Sequence, residues 1–325
     1  MQLSRRDFSA ALVAPLAGAL MPAFAQNGYP GRTVRIIVPY PAGGFNDTLA
    51  RVVGKKLQDS LGQPFIADNK PGGGTIIGTE AGVKSPPDGY TLFIASFPTV
   101  VNQFLYKNLP YSVQRDVAPI ILAGYAPNLL VVRSDSPYRT VKDLVAAAKA
   151  APDRLNYASA GSGTSLHLAM EYFKSVTGTR IAHIPYKGSA PMITDLLGGQ
   201  VDVMFDNLPN AMPHVQSGRM RALGVTSLKR LAAQPDIPTI AEQGYPGFEI
   251  SPWYGIAAPA GTPRAILVKL NAEVARILTQ PDVKAIFAAQ GVEIAGGSVE
   301  DFDRYIKAQS ARWEPIVRNA NIALD

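Results

Sequence analysis

The same local unit is written twice in this chain: a short apolar run, a turn of glycine and small residues, then a segment of helical periodicity. In the first copy residues 34–38 are Val-Arg-Ile-Ile-Val, a β-branched run suited to a buried strand, and Pro39 and Pro41 end it. Gly43 and Gly44 remove side chains where the backbone turns, and Asn46 or Asp47 is placed to cap the helix that follows. Leu49, Val52, Val53, Leu57 and Leu61 share one face of that helix, opposite Lys55, Lys56, Gln58 and Asp59. In the second copy residues 155–159 form the strand and Ala160-Gly161-Ser162-Gly163-Thr164-Ser165 the turn. Residues 166–176 form its helix, with Leu168, Met170 and Phe173 available for packing. Each unit delivers a strand end to a helix N-terminus, where unpaired N–H groups and the positive end of the dipole favour an anion.

Further short apolar runs at residues 64–69, 90–95, 181–186, 201–205 and 221–226 alternate with helical stretches, which calls for an α/β fold. A length of 325 residues fits two domains better than one core. The runs 119–123 and 129–132 flank Gly124-Tyr125-Ala126-Pro127-Asn128, a strand broken by turn residues as at a hinge between domains. Residues 251–258, with Trp253 and Tyr254, read as the return crossing. The expected division is residues 27–124 with 250–325 as one lobe and 125–249 as the other. Thr140 and Asp143 fit a capping box, Thr262 with Pro263 starts a helix running to about Leu278, Ser298 caps the last helix, and Pro315 is expected to kink it.

In an open α/β sheet the carboxyl ends of the strands line the ligand crevice. That rule gathers Tyr40, Ala42, Gly43, Gly44, Asn46 and Asp47 with Ser96 and Thr99 on one side, and Ser162, Gly163, Thr164 and Asp206 on the other. Ser96 and Thr99 fit a helix N-cap equally well, and Asp47 and Asp206 stand where an Asp commonly caps a helix or turn. The run Gly72-Gly73-Gly74 reads as a solvent loop, with a backbone nest for an anion as its alternative.

The N-terminus carries an address. Ser4-Arg5-Arg6-Asp7-Phe8 precedes an apolar run over residues 10–20 and then Ala23-Phe24-Ala25, so residues 1–25 form a twin-arginine-like signal peptide cleaved after Ala25, and the mature protein is periplasmic. No later apolar segment approaches bilayer length. The net charge of +6 is scattered without a Lys/Arg block, which argues against a nucleic-acid partner. The absence of cysteine excludes disulfides, thiolate catalysis and Cys-based metal sites. His167, His183 and His214 lack ligand spacing, and Ala160 spoils a Gly-x-Ser-x-Gly elbow around Ser162. With no Walker or dinucleotide fingerprint either, the chain reads as a cofactor-free binding protein, not an enzyme.

Several motifs resemble the substrate-binding proteins of tripartite tricarboxylate transporters, the Bug family. They are Pro39-Tyr40-Pro41-Ala42-Gly43-Gly44 with Asp47 and Arg51, residues 158–168 (Ala-Ser-Ala-Gly-Ser-Gly-Thr-Ser-Leu-His-Leu), Pro185-Tyr186-Lys187-Gly188-Ser189-Ala190-Pro191, residues 195–202 (Asp-Leu-Leu-Gly-Gly-Gln-Val-Asp) and Gly255-Ile256-Ala257-Ala258-Pro259. The resemblance covers almost the whole mature chain. It implies a type II periplasmic-binding fold, two α/β lobes joined by two hinge crossings and closing on a small organic carboxylate. One carboxylate is then held by the turns matching residues 42–47 and 162–164, and the partner is a set of integral-membrane transporter subunits served by a monomeric receptor. A sensor module presenting its ligand to a signalling receptor is the alternative. Phe45-Asn46 departs from the small residue or Pro followed by Thr or Ser in many relatives. Phe45 favours an apolar or aromatic ligand body if it faces the cleft, or packs outside it.

Overall fold

The structure, a computed structural model, describes residues 28–186, 188–231 and 233–319; the expected signal peptide with its expected cleavage point, and Lys187, lie outside them. The chain runs through β1 (Val34–Val38), α1 (Phe45–Leu61), β2 (Phe65–Asn69), α2 (Ile76–Val83), β3 (Thr91–Ser96), α3 (Phe97–Leu105), α4 (Val113–Asp116) and β4 (Val117–Tyr125). It continues as β5 (Asn128–Arg133), α5 (Val141–Ala150), β6 (Asn156–Ser159), α6 (Ser165–Thr177), β7 (Ala182–Pro185), α7 (Ser189–Leu197), β8 (Val203–Asn207), α8 (Leu208–Gln216) and β9 (Met220–Val225). It closes with β10 (Trp253–Pro259), α9 (Arg264–Leu278), α10 (Pro281–Ala289), β11 (Glu293–Gly296) and α11 (Val299–Asn319).

Among the described residues two sheets form, one of six strands in the order β11-β4-β10-β3-β1-β2 and one of five in the order β7-β6-β8-β5-β9. The crossover strands are parallel (β1 with β2 and β3, β6 with β7 and β8), whereas β10 lies antiparallel to β3 and β4, and β5 antiparallel to β8 and β9. This is the expected two-lobed α/β architecture. The chain leaves the first sheet through Ala126 and Pro127 and returns between Val225 and Trp253. The two crossings are stitched together: the Ala126 N–H donates to Pro252 O (2.9 Å), and the Thr226 N–H to Asn128 O (3.0 Å).

Helix α1 shows why the units fold as they do. Leu49, Val53 and Leu57 are fully buried against the sheet, each such side chain contributing about 1.5–3 kcal/mol by leaving water. Gly62 closes the helix in the left-handed region at φ 75°, its N–H donating to Gln58 O (2.9 Å). Its start differs from expectation. Gly44 is the N-cap in extended conformation, so Asn46 and Asp47 lie inside the first turn. At α9 it is Pro263, with ψ 131°, that holds the cap position, and the Thr262 hydroxyl instead donates to Pro259 O (2.8 Å). The capping box of Thr140 and Asp143 is present, as is the Ser298 cap through Asp301 N–H (3.1 Å). Helix α11 runs as one element through Pro315.

Candidate functional site

A cavity of about 670 Å³ opens between the two sheets, walled by the turns that follow β1, β3, β6 and β8 and closed at the back by Ala126, Pro252 and Trp253 of the crossings. In the first lobe Gly43 adopts φ 97°, and its N–H donates to Asp47 Oδ2 (3.1 Å). Asp47 is itself held by Arg51 Nε (2.9 Å) and by Asn69 Nδ2 (3.0 Å), and the Arg51 guanidinium holds its carboxyl down to about 2. Asn69 also donates to Tyr40 O (3.1 Å), tying the turn to the edge of the sheet. The N–H groups of Gly44, Phe45 and Asn46 precede the first bond of α1, Asp47 N–H to Gly44 O at 3.0 Å, and so carry no intrahelical partner.

The second lobe repeats the device with different chemistry. Gly163, at φ 79°, donates its N–H to His167 Nδ1 (3.2 Å), four residues on, as Asp47 is from Gly43. The Gly161 N–H donates to Ser159 Oγ (3.2 Å), which pairs with His183 Nε2 (2.6 Å). Thr164 caps α6, its hydroxyl accepting from His167 N–H (3.4 Å) while donating to Gly161 O (2.7 Å). The Ser165 and Leu166 N–H groups precede the bond from Leu168 N–H to Thr164 O (3.0 Å), and both residues line the same opening.

Asp206 supports the remaining polar wall. Fully buried, it takes Ser189 Oγ (2.8 Å) and the Asn207 N–H (2.7 Å) on one carboxyl oxygen, and Asn210 Nδ2 bonds Ser189 Oγ (3.0 Å). Asn210 Nδ2 also reaches that carboxyl oxygen (3.4 Å), and burial pushes the carboxyl up to about 6 against Ser189, the Asn207 N–H and Asn210. Opposite, Tyr40 shares a hydrogen bond with Ser96 (2.8 Å), and burial pushes its phenol up to about 12. Phe45 lines the cavity and also meets Tyr254 and Phe287 edge-on, at 4.6 and 4.9 Å between centroids.

Of the residues named from sequence, Tyr40, Gly43, Gly44, Asn46, Ser96, Ser162, Gly163 and Thr164 come together on the cavity wall. Four do not reach it. Asp47 and Asp206 are spent on fixing the residues that do; Thr99 accepts the Ser96 N–H (3.0 Å) inside α3's cap, and Ala42 is exposed outside the lining. The glycine turn after β2 is not the solvent loop expected of it, since Gly72, Gly74 and Thr75 line the cavity. Ser189, Asn207, Asn210 and Gln290 line it as well; at the end of β8 the strand-end rule was taken no further than Asp206, and Asn207 and Asn210 follow directly after it. Among the described residues, no side chain lining the cavity carries a formal charge.

Residues 49–322 match the tripartite tricarboxylate transporter family receptor. The chain belongs to that family. BugT of Bordetella pertussis is 39% identical over 310 residues, covering 95% of each chain. Among solved structures, Rpa4515 of R. palustris with adipate superposes at a TM-score of 0.82 with 38% identity, covering 91% of this chain and all of that one. The periplasmic binding protein BugD gives a TM-score of 0.79 with 34% identity, over 90% of this chain and 99% of that one. The matched family is thus one of transporter receptors, and BugD is a periplasmic binding protein.

Proposed function

We propose that this receptor captures a small organic dicarboxylate in the inter-lobe cleft and delivers it to the integral-membrane subunits of a tripartite tricarboxylate transporter for uptake. It works as a monomer in the periplasm, after cleavage behind Ala25, and turns over no substrate. The observation that carries this reading is the pairing of two helix N-termini, α1 and α6, across a cavity lined by no formal charge among the described residues. Backbone dipoles aimed at an anion in a poorly hydrated cleft gain from the low local dielectric without burying a cation. One carboxylate is held by the free N–H groups of residues 44–46 and by Ser162 and Thr164. The apolar walls at Phe45, Phe97 and Trp253 take the carbon chain, and Ser189 with Asn207 and Asn210 meets its far polar end. The adipate held by Rpa4515 has this layout of two carboxylates on an apolar chain.

The test is a calorimetric and thermal-shift panel of adipate, malate, benzoate, nicotinate and dimethyl adipate. A true ligand at about 100 times its Kd stabilises by about 2.7 kcal/mol, a shift on the order of 5 to 10 °C. Dimethyl adipate binding as well as adipate would defeat carboxylate capture. Cells that lack the receptor and still take up the identified ligand at full rate would defeat the transport role. Mass spectrometry of the exported protein, expected to begin at Gln26, checks the address.

A further inference from the structure

The Gly163–His167 bond makes a demand that the Gly43–Asp47 bond does not. His167 accepts through Nδ1, so that nitrogen is unprotonated and the ring is neutral; an imidazolium has two donors and no acceptor. We propose that His167 is a positioning residue that makes the second lobe's half of the ligand site acid-labile: its neutral ring holds the turn of Gly161 to Thr164 in the ligand-competent form, and protonation releases that turn. This rests on the carboxylate-capture reading and adds a regulation to the same site.

The surroundings keep the ring neutral. His167 stacks on His183, with centroids 4.3 Å apart and planes at 22°, so a charge on either ring opposes a charge on the other. Tyr157 of β6 stacks 4.8 Å from His183 of the neighbouring β7. His167 also sits in the first turn of α6, where the positive end of the helix dipole opposes a cation. The nearby carboxylate of Glu171 is engaged by Lys174 Nζ (2.7 Å) and by the Tyr157 hydroxyl (2.5 Å). Helix α6 packs on β8 and α11 as well. The charge β8 brings is Asp206, bound by Ser189, and the ring α11 brings is Trp313, which meets Tyr172.

Burial first, then His183, pushes the His167 imidazole down to about 4, and burial lowers His183 in the same direction. A base whose folded value lies below its ordinary value of about 6.5 favours the folded turn at neutral pH, and that advantage drains away as pH falls from 6.5 toward 4. In the first lobe the equivalent acceptor, Asp47, stays ionised through that window because Arg51 holds its carboxyl down to about 2. Acid therefore loosens one jaw and leaves the other intact.

Two arms test this. In the ligand-free protein, NMR of histidine-labelled material should show the His167 imidazole titrating well below its ordinary value, with the Gly163 amide shift following the same curve. With adipate as probe, the ratio of wild-type to His167→Asn affinity should fall by about tenfold per pH unit below the imidazole's own titration, because Asn accepts a hydrogen bond without titrating. The probe's own protonation is common to both proteins and cancels in the ratio. A His167 ring titrating at its ordinary value, a Gly163 amide indifferent to it, or a flat ratio overturns the proposal. If adipate does not bind at pH 7.5, the reading of the ligand class fails, while the ligand-free arm still decides whether His167 holds the turn.

Discussion

Phe97 and Trp313 meet edge to face, their centroids 4.9 Å apart and their planes at 88°. Phe97 opens α3 on the cleft side of the first lobe, and Trp313 comes from the last helix. The same indole touches Tyr172 of the second lobe at 5.9 Å and 71°. Helix α11 is thus a third tie between the lobes, beside the two crossings, and its Arg312 binds Glu249 (2.7 Å) where the chain returns. Trp313→Ala should lower the unfolding free energy by about 3–5 kcal/mol, the cost of emptying a large aromatic site. Trp313→Phe, which keeps much of the contact, should lose less. Urea unfolding followed by circular dichroism measures both, and a loss below 1 kcal/mol in the Ala variant would remove α11 as a tie.

The stitched crossings lead to a second expectation. Ala126 and Pro252 form the back wall of the cavity, so rotation about this pair opens or closes the mouth without disturbing either sheet. Small-angle scattering should find a smaller radius of gyration with saturating ligand than without it. Tight binding at constant radius would mean that the cleft does not close about these crossings.

At Gly43 a side chain would meet no protein atom within 4 Å, so the effect of a substitution there is conformational and not a clash with the protein. Its φ of 97° strains any other residue by about 1–2 kcal/mol. Gly43→Ala should weaken ligand binding by about tenfold, and Gly43→Val by more, because a β-branched side chain also enters the opening. Calorimetry with the ligand identified by the panel reads this; unchanged affinity in both variants would release the first turn from its role.

Asp206 ties stability to pH. Its folded carboxyl, pushed up to about 6, binds a proton more tightly than the unfolded chain does. That stability is complete below the ordinary carboxyl range and is lost as pH rises through about 6, on the order of 3 kcal/mol in all. Asp206→Asn keeps an acceptor for Ser189 without a charge, so its melting temperature relative to wild type should be higher at pH 8 than at pH 4. An equal difference at both values would mean that Asp206 is charged without penalty.

Where the sequence was informative, local chemistry decided the structure. The β-branched run at Val34 and the glycines at 43 and 44 can form little else, and the interruption at Ala126-Pro127 marks a break that proline and the sheet edges both require. Local chemistry could not place the turn after β2 against the cavity, because Gly72 and Gly74 reach it only through pairing of β2 with β1. Nor could spacing show that His167 and His183 meet, since one lies on a helix and the other on a strand. Thr99 and Asp206 were drawn toward the ligand by their polarity; their hydrogen bonds turn them inward as supports.

The uncharged lining of the cavity, among the described residues, has a consequence for how binding responds to salt. An anion gripped by exposed lysines or arginines is released as salt thins their field, with a screening length of about 8 Å at physiological ionic strength and about 3 Å at 1 M. Peptide dipoles enclosed between two lobes are shielded from that atmosphere. Ligand binding in this cleft should therefore change little as ionic strength rises.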